Sequence, residues 1–337
     1  MRGTPIRSHI RPPSAASGAG TGAATASATA IASASSTITH GLDIKGGAPV
    51  GLLVSTTRTL GGDRATDTAW FSDNSFPGSG TVGSPYLIDR VHFTSKLTLG
   101  AGAGSSALIG KYVKITNCRF DGDPGNPTPD NSRCLFVDTD GPLVTIEDST
   151  LGPAGGVSGS GGPAAGVGVD KVILSYQSIQ VTRCDLYGGN VAIGIEVETT
   201  EAASVFDSCW LHDTWSAGSD HTDLGNGNFH ASHVTLIRCF LDGIRTGGTY
   251  VVNGIGIYND LAGNEGGATI TDWTIQDCYL DRCQTMILST TDTAKFTNPY
   301  VVTGNVFDRF SVTRSSMRVP STQSGNVDGS GTPITFS

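Results

Sequence analysis

The densest run of chemically able side chains lies between His212 and His233, HDTWSAGSDHTDLGNGNFHASH. It holds four of the chain's seven histidines, three aspartates and Trp215. Asp220 and Asp223 form a carboxylate pair with His221 between them as an acid/base, and Arg245 follows in the next repeat. Two carboxylates flanking a glycosidic bond, one as acid and one as base or nucleophile, are the equipment for cleaving a polysaccharide. The same run also suits holding a ligand without turnover. His212, Asp213, Trp215, His221, Asp223, Asn226 and His230 supply donors, acceptors and one aromatic platform. An Asp-His-Thr-Asp run also caps its own backbone in a turn, so these residues are read as structural or ligand-binding first and catalytic second.

Metal chemistry finds less support. No CxxC pair exists among the seven cysteines, and the HxxH of His230 and His233 has no cysteine at a useful spacing. No metal is expected, with Ca²⁺ the one cation left open. Cys278 and Cys283 are the only close pair able to bridge. The expectation is that the thiols are packed and reduced, since five of them share one position in a repeat.

That repeat supplies the elements that must position everything else. The pattern apolar-x-apolar-x-x-slot-x-Leu/Phe occurs as VKITNCRF, VTIEDSTL, IQVTRCDL, SVFDSCWL, VTLIRCFL, WTIQDCYL and YVVTGNVF, at intervals of 25 to 39 residues. Cys118, Cys184, Cys209, Cys239 and Cys278 occupy the slot, with Ser149 and Asn305 in the other two copies. Alternation within each half marks a half-buried strand, and the three-residue offset between halves marks a bend. A strand-rich unit at this period is a solenoid coil, which buries its inner face only on its neighbours. Seven coils make a rod about 35 Å long at about 4.8 Å each. Three residues after the slot stand Asp121, Tyr187, His212, Asp242, Asp281 and Asp308, with Gly152 in the remaining copy. The expected result is a stripe along one edge, serving as turn chemistry or as a groove for sugar or cation.

Composition agrees with an all-β chain. There are 46 Gly, and the 30 acids are 25 Asp against 5 Glu, with 6 Lys, which favours turns over helices. Residues 1–42 carry three arginines and no acid, so the net −9 divides into +3 for this small-residue segment and −12 beyond it. An acidic body repels phosphate, which argues against nucleic acid, and no run approaches the ~20 apolar residues of a membrane span. The expected organisation is a basic attachment arm over 1–42, a β-rich cap over 43–100, a parallel β-helix over 101–312 and a C-terminal tail over 313–337.

The coils with their Cys/Asn ladder resemble the pectate-lyase-like right-handed parallel β-helix superfamily. His221-x-Asp223-x-x-Asn226 resembles an H-x-D-x-x-Q element of β-helix proteins from actinobacteria and their phages. Arm, Gly-rich cap and β-helix together resemble a minor tail protein or fibre of a phage infecting a high-GC host. The resemblance implies a virion structural protein, joined to other virion proteins through its arm, homotrimeric, and presenting its coils to a host-surface glycan. It also implies an alternative, since lyases of this fold use Asp-bound Ca²⁺ with an Arg or Lys base and hydrolases use neighbouring carboxylates. That alternative is a tailspike-like lyase or hydrolase, although the Asn-Thr-Asp and Arg-Ile-Lys triplets of the hydrolases are absent. A capsid-surface decoration fits the same layout.

Overall fold

In the computed structural model, each repeat folds as two short strands joined by a two-residue bend whose second residue is the slot. Around Cys118 the first strand is Tyr112–Thr116 and the second Arg119–Phe120. The residue before the slot is left-handed, with φ of 52° at Asn117, 54° at Arg183 and 53° at Arg238. A side-chain-bearing residue enters that region at a cost of about 1 kcal/mol. The bend recurs because it turns the apolar residues on both sides onto one core. The structure describes residues 54–335 apart from 62–63, 103, 105, 124–131, 155–167, 196–202, 216–221, 229–231, 246–248, 259–271, 290–299 and 318–320.

Three sheets result. Sheet I collects the short strands after the bend, ten of them from Arg58–Leu60 to Val327–Asp328. Sheet III collects the nine strands before it, from Tyr86–Asp89 to Ser321–Ser324. Sheet II, of ten strands from Arg64–Ala65 to Phe310–Met317, has no counterpart in the repeat pattern. Neighbouring strands within each sheet pair in parallel, as Ile115 with Ile146 in sheet III and Phe120 with Leu151 in sheet I. Ile244–Arg245 instead forms an antiparallel hairpin with Thr249–Tyr250. The chain is an all-β parallel β-helix, of the right-handed sense that parallel crossovers take.

The slot turns out to be more than a small apolar filler. Cys118 Sγ donates to the Thr116 carbonyl at 3.1 Å, and Cys209 and Cys239 make the same bond within their own coils at 3.5 Å. Ser149 Oγ accepts from the Cys118 N–H at 3.0 Å, and Asn305 Oδ1 accepts from the Cys278 N–H at 2.8 Å. The Cys thiols add a second donor to carbonyls that already accept the bend N–H of the preceding coil, as Thr116 does from Arg90, whereas Ser149 and Asn305 cap a slot N–H; Cys, Ser and Asn all offer a polar atom for this position. All seven cysteines are buried and free, Cys278 and Cys283 included. Burial pushes the Cys118 thiol up to about 12, which keeps it unreactive. Thiol titration of native protein should therefore find few reactive groups and denatured protein close to seven. Rapid native labelling of Cys184 or Cys209 would contradict the stacking.

The solenoid runs further at both ends than the expected boundaries. Tyr86–Asp89, Val91–Phe93 and Leu97–Leu99 form a full coil inside the segment read as a cap. Their sequence, YLIDRVHF, obeys the repeat with Val91 in the slot, so it lacks the polar marker. Ser321–Ser324 and Val327–Asp328 add a coil inside the segment read as a tail, with Asn326 in the slot. Beyond it the chain folds back on this coil: Val327 bridges Pro333, and the Ile334 N–H donates to the Asn326 carbonyl at 3.0 Å. Among the described residues, the first full coil is covered by Arg58–Leu60 and Arg64–Ala65, which pair with it, and by the five-residue helix Ala69–Asp73 with Phe76. Phe71 stacks on Tyr86 at 4.2 Å, and the Arg58 guanidinium lies 5.0 Å from the Phe76 ring centre.

Candidate functional site

The outward face of sheet I carries the polar stripe, because the residues one and three past the slot both point away from the core. Tyr187 pairs in register with His212, and Asp242 with Asp281, as the repeat spacing requires. His212 lies at the centre. Its Nε2 is 2.6 Å from Asp185 Oδ1 in the preceding coil, and its Nδ1 is 2.8 Å from Asp213 Oδ2. The ring stacks on Trp210 at 3.6 Å between centroids and is only 1% exposed.

Burial alone would strip the proton from this ring, but Asp185 and Asp213 outweigh it and raise the His212 pKa to about 9. His212 is therefore an imidazolium donating from both nitrogens. It has no lone pair to take a proton from a substrate and no open side from which one arrives.

Paired charges continue on either side. Arg119 donates to Asp121 at 2.9 Å and to the Gly152 carbonyl at 3.1 Å, and its guanidinium stands 5.3 Å from the Tyr187 ring centre. His92 shares Asp121 at 2.7 Å. Further along, Arg282 holds Asp242, Arg309 holds Asp281, and the Tyr279 hydroxyl donates to Asp308 at 2.7 Å. Burial raises the Asp242 carboxyl despite Arg282, which marks how little water reaches it. Most of these pairs bridge different coils, so the stripe acts as a row of clamps between turns of the solenoid.

The residues expected to converge are divided by the fold. His212 ends the sheet I strand Trp210–His212 and Asp213 and Trp215 follow it; Trp215 is 6% exposed and its backbone N–H donates to the Gly189 carbonyl at 2.9 Å. Its ring lies against Gly168, where an added Cβ would come within 2.4 Å of the Trp215 Cγ. Asp223 instead opens the sheet II strand Asp223–Asn228, fully buried, and accepts from Asn253 Nδ2 at 2.7 Å. Asn226 lies in that strand, paired with Gly194 and Gly256, and Arg245 lies in the hairpin. Asp220, His221 and His230 fall outside the described residues. Sequence reasoning missed Asp185, Trp210, Arg119, Arg282 and Arg309. Reading the position just after the slot as an outward column would have found Arg119, Asp185 and Trp210.

Among the described residues, no three His, Cys, Asp or Glu side chains gather as a metal-holding group, and no helix is long and apolar enough to cross a membrane. No protein-family model matches the chain, and no curated protein matches it. Among solved structures it is similar to the A-module of the mannuronan C-5 epimerase AlgE4 of Azotobacter vinelandii. That alignment has 12% identity and a TM-score of 0.29, and covers 91% of this chain and 93% of the other. The assignment of the fold rests on the strand pairing itself.

Proposed function

We propose that this protein is a non-catalytic structural component of a virus particle. In this reading it is a minor tail protein or fibre of a phage of a high-GC host, which presents its β-helix to the cell surface and holds envelope glycan there. One observation carries the choice of scaffold over enzyme. The histidine and carboxylates of the stripe are sealed and committed to one another, His212 to Asp185 and Asp213 and Asp242 to Arg282. A catalytic acid/base needs an accessible proton site, and a stack of coils needs cross-coil bonds. The layout of a basic, small-residue amino-terminal segment ahead of an acidic rod supports attachment to other virion proteins through that segment.

The test uses purified protein and polysaccharide extracted from the host envelope. The expected result is binding without release of reducing ends or unsaturated products. Depolymerisation that disappears in Asp223→Asn would overturn this reading in favour of a tailspike-like lyase or hydrolase. Absence of any binding would overturn the glycan-holding role.

A further inference from the structure

Four of the seven thiols form an uninterrupted interior column that the proposed function does not use. Cys184, Cys209, Cys239 and Cys278 stand in the slots of four successive coils, whose sheet I strands pair in register. The N–H after each slot donates to the slot carbonyl of the coil before it, Trp210 to Cys184, Phe240 to Cys209 and Tyr279 to Cys239, each at 2.9 Å. The four residues are no more than 1% exposed, and the side chains of neighbouring slots meet along the rod axis. Ser149 and Asn305 occupy the slots on either side, so oxygen-bearing side chains bound a run of four sulfurs.

The spacing of the column decides which chemistry it suits. Coils repeat about every 4.8 Å along the axis, so the Cβ atoms of in-register residues lie about that far apart. A disulfide draws its two Cβ atoms to about 3.5–4.5 Å, which here means pulling two paired strands together. A thiolate–metal bond is about 2.3 Å long, and two of them in line span about 4.6 Å, close to one coil step. Each sulfur has at most one sulfur above it and one below. That arrangement cannot surround a tetrahedral ion such as Zn²⁺, and it offers a Ca²⁺ ion none of the oxygens it needs.

We propose that this thiol column is a site for a soft, two-coordinate cation of the Cu(I) class, each ion held in line between the sulfurs of adjacent coils. Thiolates select such ions. A singly charged ion binds one thiolate and one thiol, so one S–H proton leaves to solvent for each ion that enters, nothing is oxidised or reduced, and the buried site stays neutral. A net charge left in that interior would be costly. The thiol that keeps its proton has an acceptor, since Cys239 Sγ donates to the Phe206 carbonyl at 3.3 Å and Cys209 Sγ to the Val181 carbonyl at 3.5 Å. With each sulfur serving one ion, the column takes two, one between Cys184 and Cys209 and one between Cys239 and Cys278. The sealed interior means that uptake accompanies folding. The inference is independent of the reading of the protein as a particle component.

The test uses Ag(I), a soft monovalent ion that does not change oxidation state under these conditions. The full chain is refolded from denaturant with excess Ag(I) and desalted, and the retained silver is counted by native mass spectrometry beside the circular dichroism of the ion-free protein. Wild type is expected to retain two ions with an unchanged spectrum. Cys239→Ser is expected to retain one, and Cys209→Ser combined with Cys278→Ser none, because no two sulfurs of the column then adjoin. Serine already fills the slot at Ser149, so both variants are expected to fold. The double variant keeps Cys118, Cys134, Cys184, Cys239 and Cys283, which makes it the control for silver on isolated sulfurs. In wild type alone, the thiolate-to-metal ultraviolet band should stop growing at two ions. Growth to seven, one for each cysteine, would overturn the proposal. So would a folded wild type that retains no silver, a wild type that refolds only without it, or a folded double variant that retains as much as wild type.

Discussion

Leu236→Asp is expected to abolish folding. Leu236 is 2% exposed and lies in register between Phe206 and Ile275, in the interior column that also holds Ile115 and Val181. Coils above and below fix the backbone on both sides, so the new carboxylate has no route to water. An unpaired buried charge costs several kcal/mol after whatever relaxation is open to it, against a total stability of about 5–15 kcal/mol for a domain. Leu236→Ala, by contrast, should lose about 2–5 kcal/mol and still fold. Expression yield and far-ultraviolet circular dichroism distinguish the outcomes. A soluble Leu236→Asp protein with an unchanged spectrum would mean that the register is wrong.

The second large effect belongs to His212. Its replacement by Ala leaves Asp185 and Asp213 buried without their cation, and breaking a buried ion pair this way costs about 3–5 kcal/mol. The pH dependence follows from the raised pKa. The unfolded imidazole titrates near 6.5 and the folded one at about 9, so the stabilisation is complete below pH 6.5. It declines between the two values and is gone above about pH 9. The full contribution is about 3 kcal/mol on the usual conversion. Urea unfolding of wild type and His212→Gln should therefore differ most near pH 6 and converge near pH 9.5. A gap that stays constant across that range would show that the ring is neutral in the fold.

Much of the solenoid was legible because inward side chains in a stack must agree from coil to coil, and agreement is visible as repetition. Cys118, Cys184 and Cys209 advertise it. Val91 fills the same inward position without the polar marker or its hydrogen bond, so the first full coil went unread, and STQSGNVD was too polar to be recognised as the last. Sheet II was hidden for a different reason. Its strands, such as Val169–Ser175, are buried on both faces, and a strand of that kind reads as an apolar run rather than an alternation. The candidate site was half legible. His212 was noticed for its type, but its decisive partner Asp185 lies 27 residues away and is brought close only by the coil register. Asp213 and Asp223 looked like neighbours in one loop, whereas a corner between two sheets separates them.

The slot side chains also give the rod a direction. Ser149 satisfies the Cys118 N–H of the coil before it, Asn305 that of Cys278, and Asn326 that of Asn305. Each of these turns is complete only once its successor is in place, as in a filament that grows from a seed. The seed end of the described rod is the aromatic lid around Phe71, which is synthesised before the coils that follow it. The terminator is the stretch after Asn326, where the Ile334 N–H closes on the Asn326 carbonyl and its side chain packs on the core. Chain growth from the amino terminus therefore runs in the order in which the bonds can be made. Shortening the rod without leaving an open donor means removing whole turns and keeping both ends.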